Sequence, residues 1–300
     1  MFKHRFSVFQ PIATVALTAA LTACASAPTP LTPDMATRLQ QQAPIRFLLT
    51  FDDGPARDSN NNSSLSILHT LDQNPVQPGI KAVFFAQTRS WHAGETEAGR
   101  AILRQEVADG QVLGFHTSTP FHSNHALMKP ADLETSLNHG VADLTSLRGT
   151  PPTLVRPPFW AYNATTFNAY QKHGLAMLLT DLSANDGKIY GYHISLRRRS
   201  NMLNMLAHVR EEIIAGKLPT VDGAIPVVVT FHDINGYTAD HMAEYLQILL
   251  DSAHELQMPT TAKPFYDDAA AVERAAVARA VKDGSAPKEL PGVWQWIWGE

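Results

Sequence analysis

The sequence predicts an α/β domain built on a parallel sheet, on two observations. Short apolar runs bounded by turn residues recur along the chain, as expected of strands buried on both faces. Amphipathic stretches alternate with them and supply the crossovers that parallel neighbours need. Six or seven such units over about 220 residues fit an open sheet or a barrel, and spacing alone does not choose.

The first strand is expected at Arg46–Phe51, the second at Lys81–Ala86 and the third at Gln111–Phe115. Thr153–Arg156 is a short fourth, Leu175–Thr180 a fifth and Ile225–Phe231 a sixth. Between them, Leu133, Leu137, Val141 and Leu144 share one helix face, and Gly149 stands where that helix should stop. Met242, Leu246, Leu249, Ala253 and Leu256 form a later face of the same kind. No internal repeat is present. After Pro264 the composition shifts to an alanine-rich helix candidate, Ala269–Val281, and then to Trp294, Trp296 and Trp298. That end reads as a docked tail, or as a sugar-stacking or membrane-contact patch.

The chain has 300 residues, 44% hydrophobic and 17% charged, which supports a sizeable core. The net charge of −4 gives no electrostatic footprint for nucleic acid, and no obligate protein partner is evident. Residues 1–23 have the layout of a secretory signal: Lys3 and Arg5, then the apolar Ile12–Leu21, too short for a comfortable span. Cys24 is the only cysteine, so there is no disulfide framework. Leu21-Thr22-Ala23-Cys24 resembles the lipobox of bacterial lipoproteins, which implies lipidation of Cys24 and membrane contact through that lipid alone. Ser26, rather than Asp, then implies the outer membrane, facing the periplasm of a cell envelope. The alternative is an ordinary signal peptide cut near Ala25. Residues 24–44, with Pro28, Pro30 and Pro33, read as a tether. The main domain is expected over 45–262 and the tail over 263–300.

In a parallel α/β domain, function gathers beyond the C-terminal strand ends. Asp52 and Asp53 follow the first run, and His116 the third, with His122 and His125 close behind. Arg156 ends the fourth, Asp181 and Asp186 follow the fifth, and His232 and Asp233 the sixth. Adjacent residues in extended chain point to opposite sides, so Asp52 and Asp53 suit separate tasks, one on a cation and one facing water. A divalent metal would also hold both ionised. One Asp and two His suit zinc or a similar metal with an open place for water. The spacing of His116 and His122, with Pro120 between, puts that pair on a loop. No Gly-x-Ser-x-Gly, His-Glu-x-x-His or Gly-rich phosphate loop competes. Arg197-Arg198-Arg199 reads as a solvated face, or as a contact for an acidic glycan.

Over roughly Arg46 to Thr261 the chain resembles the polysaccharide deacetylases of carbohydrate esterase family four. The motif Thr50-Phe51-Asp52-Asp53-Gly54-Pro55 is matched in full, and implies Asp52 as general base and Asp53 as metal ligand. Gly110–Thr117 resembles the approach to the second motif and implies His116 as a ligand. Arg156-Pro157-Pro158-Phe159 implies that Arg156 holds the base, and Thr230-Phe231-His232-Asp233 implies His232 as general acid. The fold implied is a deformed (β/α) barrel with about seven parallel strands.

Several positions depart from the family pattern. Its second histidine falls at Pro120 here; His122 is the replacement, read with a two-residue insertion, and His125 is the rival. Asp186 matches the acid that orients His232, but Ser183 and Gly187 replace an acid and a tryptophan. Thr230 replaces a leucine, which questions the apolar wall for an acetyl methyl. The resemblance implies a metal-dependent hydrolase, with zinc (or cobalt, nickel or manganese), that removes N-acetyl groups from amino sugars of peptidoglycan or an exported polymer. A backbone N–H near Trp160 would bind the oxyanion, and Trp160, Tyr162 and Trp91 are candidates to stack on sugar rings. The alternatives are an O-acetyl esterase and a non-catalytic glycan-binding lipoprotein.

Overall fold

The computed structural model describes residues 30–57, 61–186, 195 and 197–284. The signal segment, Cys24 and the three C-terminal tryptophans lie outside the described residues. No helix among the described residues is long and apolar enough to cross a membrane.

The central strand, β1 (Ile45–Asp52), shows how the sheet divides its faces. Phe47, Leu49 and Phe51 point outward into the main core. There they meet Ile67, Leu68 and Leu71 of α2 (Ser63–Asp72) and Leu246 and Leu249 of α7 (Gly236–Glu255). Leu48, Thr50 and Asp52 alternate with them and face the opposite way, as a two-residue period requires. The same division holds in β2 (Val83–Gln87), β3 (Val112–Thr117), β4 (Leu154–Val155) and β7 (Ile225–His232). Leu48, Val83, Val112, Leu154 and Val228 thus make one inner apolar layer. Both faces are buried, which is why these strands read as unbroken apolar runs.

Seven parallel strands run in the order β5-β4-β3-β2-β1-β7-β6. The edges are β5 (Ala176–Met177) and β6 (Leu182–Ser183). Only residues 178–181 separate them, a stretch that spans at most about 18 Å. The sheet must therefore curl until its edges approach. Along the crossing, Leu178 N–H donates to Val155 O at 2.9 Å and Asp181 N–H to Val228 O at 3.0 Å. The result is the expected deformed (β/α) barrel. The fifth strand expected at Leu175–Thr180 is corrected to the two-residue β5, with Leu178–Thr180 running on toward β6 on the opposite edge. That run is apolar because it crosses a buried seam.

The predicted helix ending at Gly149 is α4 (Pro130–Arg148), with Gly149 in the left-handed conformation at φ 78°. The crossovers α3 (Glu97–Ala108) and α5 (Ala164–Lys172) complete that side. Pro33, read as part of a tether, is the first residue of α1 (Pro33–Gln40), whose Leu39 is buried in the main core. Proline at a helix start is favoured because its missing N–H would be unpaired there. The arginine run opens α6 (Arg198–Ile214), and Arg198 and Arg199 pair with Glu244 and Glu255 of α7.

β8 (Thr260–Phe265) pairs with the start of β1 and was not expected. Half-exposed and carrying Pro264, it lacks the apolar run that marks the other strands. α8 (Ala269–Arg279) then lays Val272, Ala275 and Ala276 against the inner apolar layer. Its last turn reaches the seam, where Arg279 pairs with Asp181, both buried.

Candidate active site

Above the inner apolar layer the barrel interior turns polar, and one residue organises it. Arg156, fully buried after β4, donates Nη1 to Asp52 Oδ1 at 2.8 Å, Thr50 Oγ1 at 2.6 Å and Thr230 Oγ1 at 3.0 Å. Its Nε donates to Leu178 O at 3.1 Å and its Nη2 to Leu179 O at 3.4 Å. The guanidinium thereby ties the sheet centre to the seam. A buried charge needs such pairing, because desolvation would otherwise cost several kcal/mol. Thr230, which replaces an apolar residue of the family pattern, spends its hydroxyl on Arg156.

Parallel register places Asp52 of β1 opposite His232 of β7. Neighbouring strands lie about 4.8 Å apart, so the two side chains emerge side by side at the rim. Asp186 is fully buried behind His232. Its Oδ1 meets His232 Nδ1 at 3.0 Å, and its Oδ2 accepts from the His232 backbone N–H at 2.8 Å and Thr238 Oγ1 at 2.7 Å. This pairing commits Nδ1 and leaves Nε2 for proton transfer. Burial pulls the imidazole down, but the charge and hydrogen bond of Asp186, with Asp53 and Asp52 beyond, raise its pKa to about 10.

The chain turns sharply after Asp52. Asp53 takes φ 76°, a sparsely populated conformation for a residue with a Cβ, and swings its carboxylate away from that of Asp52. Asp53 Oδ1 lies 3.1 Å from His116 Nε2 and 3.3 Å from His122 Nε2, and the two imidazole nitrogens are 3.1 Å apart. Among the described residues this is the one cluster of three metal-ligating side chains. His116 Nδ1 donates to Arg156 O at 2.8 Å, since a carbonyl can only accept, and this turns Nε2 toward Asp53. Burial lowers the His122 pKa to about 4, against the pull of Asp53, so that ring is neutral near pH 7. Burial would raise the Asp53 carboxyl, but His116 and His122 hold it well below the usual carboxylate range. A carboxylate and two imidazole nitrogens converging on one point suit a borderline divalent cation.

The structure separates the two histidine alternatives. His125 is buried, stacked on Phe115 and bonded through Nδ1 to Tyr170 at 2.8 Å, as a packing residue would be. The other strand-end acids also take structural places. Asp181 anchors Arg279 and accepts from Val228 N–H. Asp233 is fully buried: Ser64 Oγ donates to its Oδ2 at 2.5 Å, and a Cβ on Gly54 would stand 2.3 Å from that oxygen. The turn after Asp53 therefore admits only glycine.

The expected stacking residues are only partly where a sugar could reach them. Tyr162 is 7% exposed and lines a cavity of about 290 Å³ with Leu179, Asp181 and Arg279. The Trp160 N–H already donates to Pro157 O at 3.0 Å, so it is not a free oxyanion donor. Phe159, overlooked in the sequence, is 57% exposed and stacks on His122 at 4.4 Å. Phe159 and Trp160 both hold positive φ, at 59° and 55°, in a strained turn that presents the Phe159 ring beside the cluster. Trp91 is half-exposed, edge-on to Phe121 at 6.1 Å. Gln87, at the end of β2, was also missed: its amide donates to Asp53 Oδ1 and to Asp53 O, each at 3.2 Å. Its position directly after the second apolar run was the available signal, but an uncharged side chain does not stand out among strand-end acids and histidines.

Known proteins resemble this chain in sequence over part of its length and in fold. Residues 40–178, from the end of α1 through β5, match the polysaccharide deacetylase family model. The chain is 28% identical over 143 residues to a chitin deacetylase of Pestalotiopsis sp, covering 48% of this chain and 44% of that protein. It therefore spans less than half the length of that relative. It is 24% identical over 208 residues to a chitin deacetylase of Colletotrichum lindemuthianum, covering 69% of this chain and 75% of that protein. The solved structure of the chitin deacetylase from that fungal pathogen shares the fold, with a TM-score of 0.50 at 21% identity over 73% of this chain and 87% of its own. Over residues 40–178, just under half of its length, the chain is thus similar to the polysaccharide deacetylases.

Proposed function

We propose that this protein is a metal-dependent hydrolase that removes N-acetyl groups from the amino sugars of a polysaccharide. The observation that carries the reading is the pairing of Asp52, clamped by Arg156, with His232, held by Asp186, in register beside the Asp53–His116–His122 cluster. A pure binding site needs neither a held base nor a held acid.

Asp53, His116 and His122 would hold the cation, with zinc the best match to their donor set. Bound there, it would polarise an acetyl oxygen and bring the pKa of a coordinated water to about 7. Asp52 takes the proton from the attacking water, and Arg156 fixes the carboxylate for that task. His232 Nε2 gives a proton to the departing amine as the C–N bond breaks, so that water and acetamide become acetate and a free amine. Asp186 keeps His232 in its acid form at neutral pH. Phe159 shields the cluster on its open side.

The substrate class we favour is peptidoglycan or an exported N-acetylglucosamine polymer. Support comes from the Leu21-Thr22-Ala23-Cys24 sequence, which fits a lipid anchor in the cell envelope. Acetate release from peptidoglycan and from N-acetylglucosamine oligomers, with and without chelator, tests the activity. Silence on every amide with metal restored would sink it. Incorporation of labelled fatty acid, abolished by Cys24→Ser, tests the anchor.

A further inference from the structure

We propose that Gln87 is a positioning residue that holds Asp53 in its cation-binding form and thereby sets the affinity of the site. The inference rests on the cation-site reading of Asp53, His116 and His122, and not on the acetyl group or glycan assigned to the enzyme.

Gln87 grips the turn after β1 at three points. Its backbone N–H donates to Gly54 O at 2.8 Å. Its side-chain amide donates to Asp53 O and to Asp53 Oδ1, each at 3.2 Å. Both side-chain partners are pure acceptors, so only the NH₂ end of the amide can face them. The side chain is 7% exposed and lies at the edge of the barrel interior.

This grip matters because of what Asp53 must do. Its backbone sits at φ 76°, a sparsely populated conformation for a residue with a Cβ. A bond to its carbonyl steadies that conformation. A bond to Oδ1 occupies one lone pair of the oxygen that faces both imidazoles and leaves another free. The carboxylate is then oriented before any ion arrives. His116 is oriented in the same manner by its bond to Arg156 O. Hydrogen-bond partners standing behind a ligand typically change metal affinity by about 10- to 100-fold when removed. An aliphatic side chain at position 87 would fill the space but leave Asp53 free to rotate.

The test uses the full chain, freed of metal, with Co(II) and Zn(II) as probes. Gln87→Leu and Gln87→Met keep the bulk and remove the donor. Both variants are expected to bind Co(II) about 10- to 100-fold more weakly, in competition with a chelator, and to show an altered visible spectrum of bound Co(II). The metal-free variants should stay folded, with a thermal midpoint only modestly below that of the parent, since one buried carbonyl loses its donor. Wild-type affinity and spectrum in either folded variant would overturn the proposal. So would loss of the fold in both, which would make Gln87 a packing residue. If the parent chain binds neither ion, the cation site itself is refuted and the role of Gln87 with it. If the parent binds ions but releases no acetate, the affinities alone still decide the role of Gln87.

Discussion

The Arg156 guanidinium stands 2.8 Å from the Asp52 carboxylate, and both side chains are buried. Arg156→Met would leave a buried acid without its partner. The expected loss of stability is about 3–5 kcal/mol, since an uncompensated buried charge costs far more than the pair gains. Urea denaturation of the metal-free protein measures it. An unfolding free energy close to that of the parent would contradict the buried-pair account.

Asp52→Asn removes the proposed base but keeps its shape. Acetate release is expected to fall by about 10²- to 10⁴-fold, while Co(II) binding persists. A variant within about tenfold of the parent rate would remove Asp52 from the reaction.

The alkaline limit of activity should belong to His232. Its pKa, about 10 despite burial, is raised chiefly by Asp186. A group raised above its ordinary value of 6.5 contributes stability that is complete below 6.5 and lost as pH rises through about 10. The acid form follows the same course. Asp186→Asn should move the alkaline limb of the rate profile toward lower pH. His232→Ala should abolish amide cleavage yet only weaken cleavage of an acetyl ester, whose leaving group needs less acid help. Equal losses on both substrates would argue against His232 as the proton donor.

His122 and His125 should part company on mutation. His122→Ala is expected to lose Co(II) binding, because it removes one of three converging donors. His125→Ala should lower the thermal midpoint and leave Co(II) affinity unchanged, because its ring packs on Phe115 and bonds Tyr170. The reverse outcome would reassign the ligand.

Mild acid should destabilise the metal-free protein. Burial holds the pKa of His122 at about 4 and that of His125 at about 3. Below pH 6.5 the unfolded chain takes up protons that these buried rings refuse, so stability falls as pH drops from 6.5 toward about 4. Thermal midpoints across that range test this, and a flat profile would exclude it.

The sequence by itself determined the alternation of strand and crossover, because two-sided burial writes unbroken apolar runs into every inner strand. It also determined which strand ends carry charge, and so it pointed to Asp52, Asp53, His116, Arg156 and His232. Those signals are local: a motif, a run and its boundary. Tertiary structure alone decided how the groups share the work. Asp181 and Asp233 look like rim acids in one dimension, and only packing against Arg279, Gly54 and Ser64 makes them anchors. Leu175–Thr180 looks like one strand, and only the curl of the sheet ends pairing at Met177 and carries the rest of the run across the seam. Gln87 and Phe159 carry no charge to mark them, and a loop histidine has no period to fix its direction. Their roles arise from parallel register, from the left-handed turns at Asp53 and Phe159, and from contacts between residues far apart in the chain. Alternating hydrophobicity fixes which face a side chain takes, but it carries no information about which neighbour that face will meet.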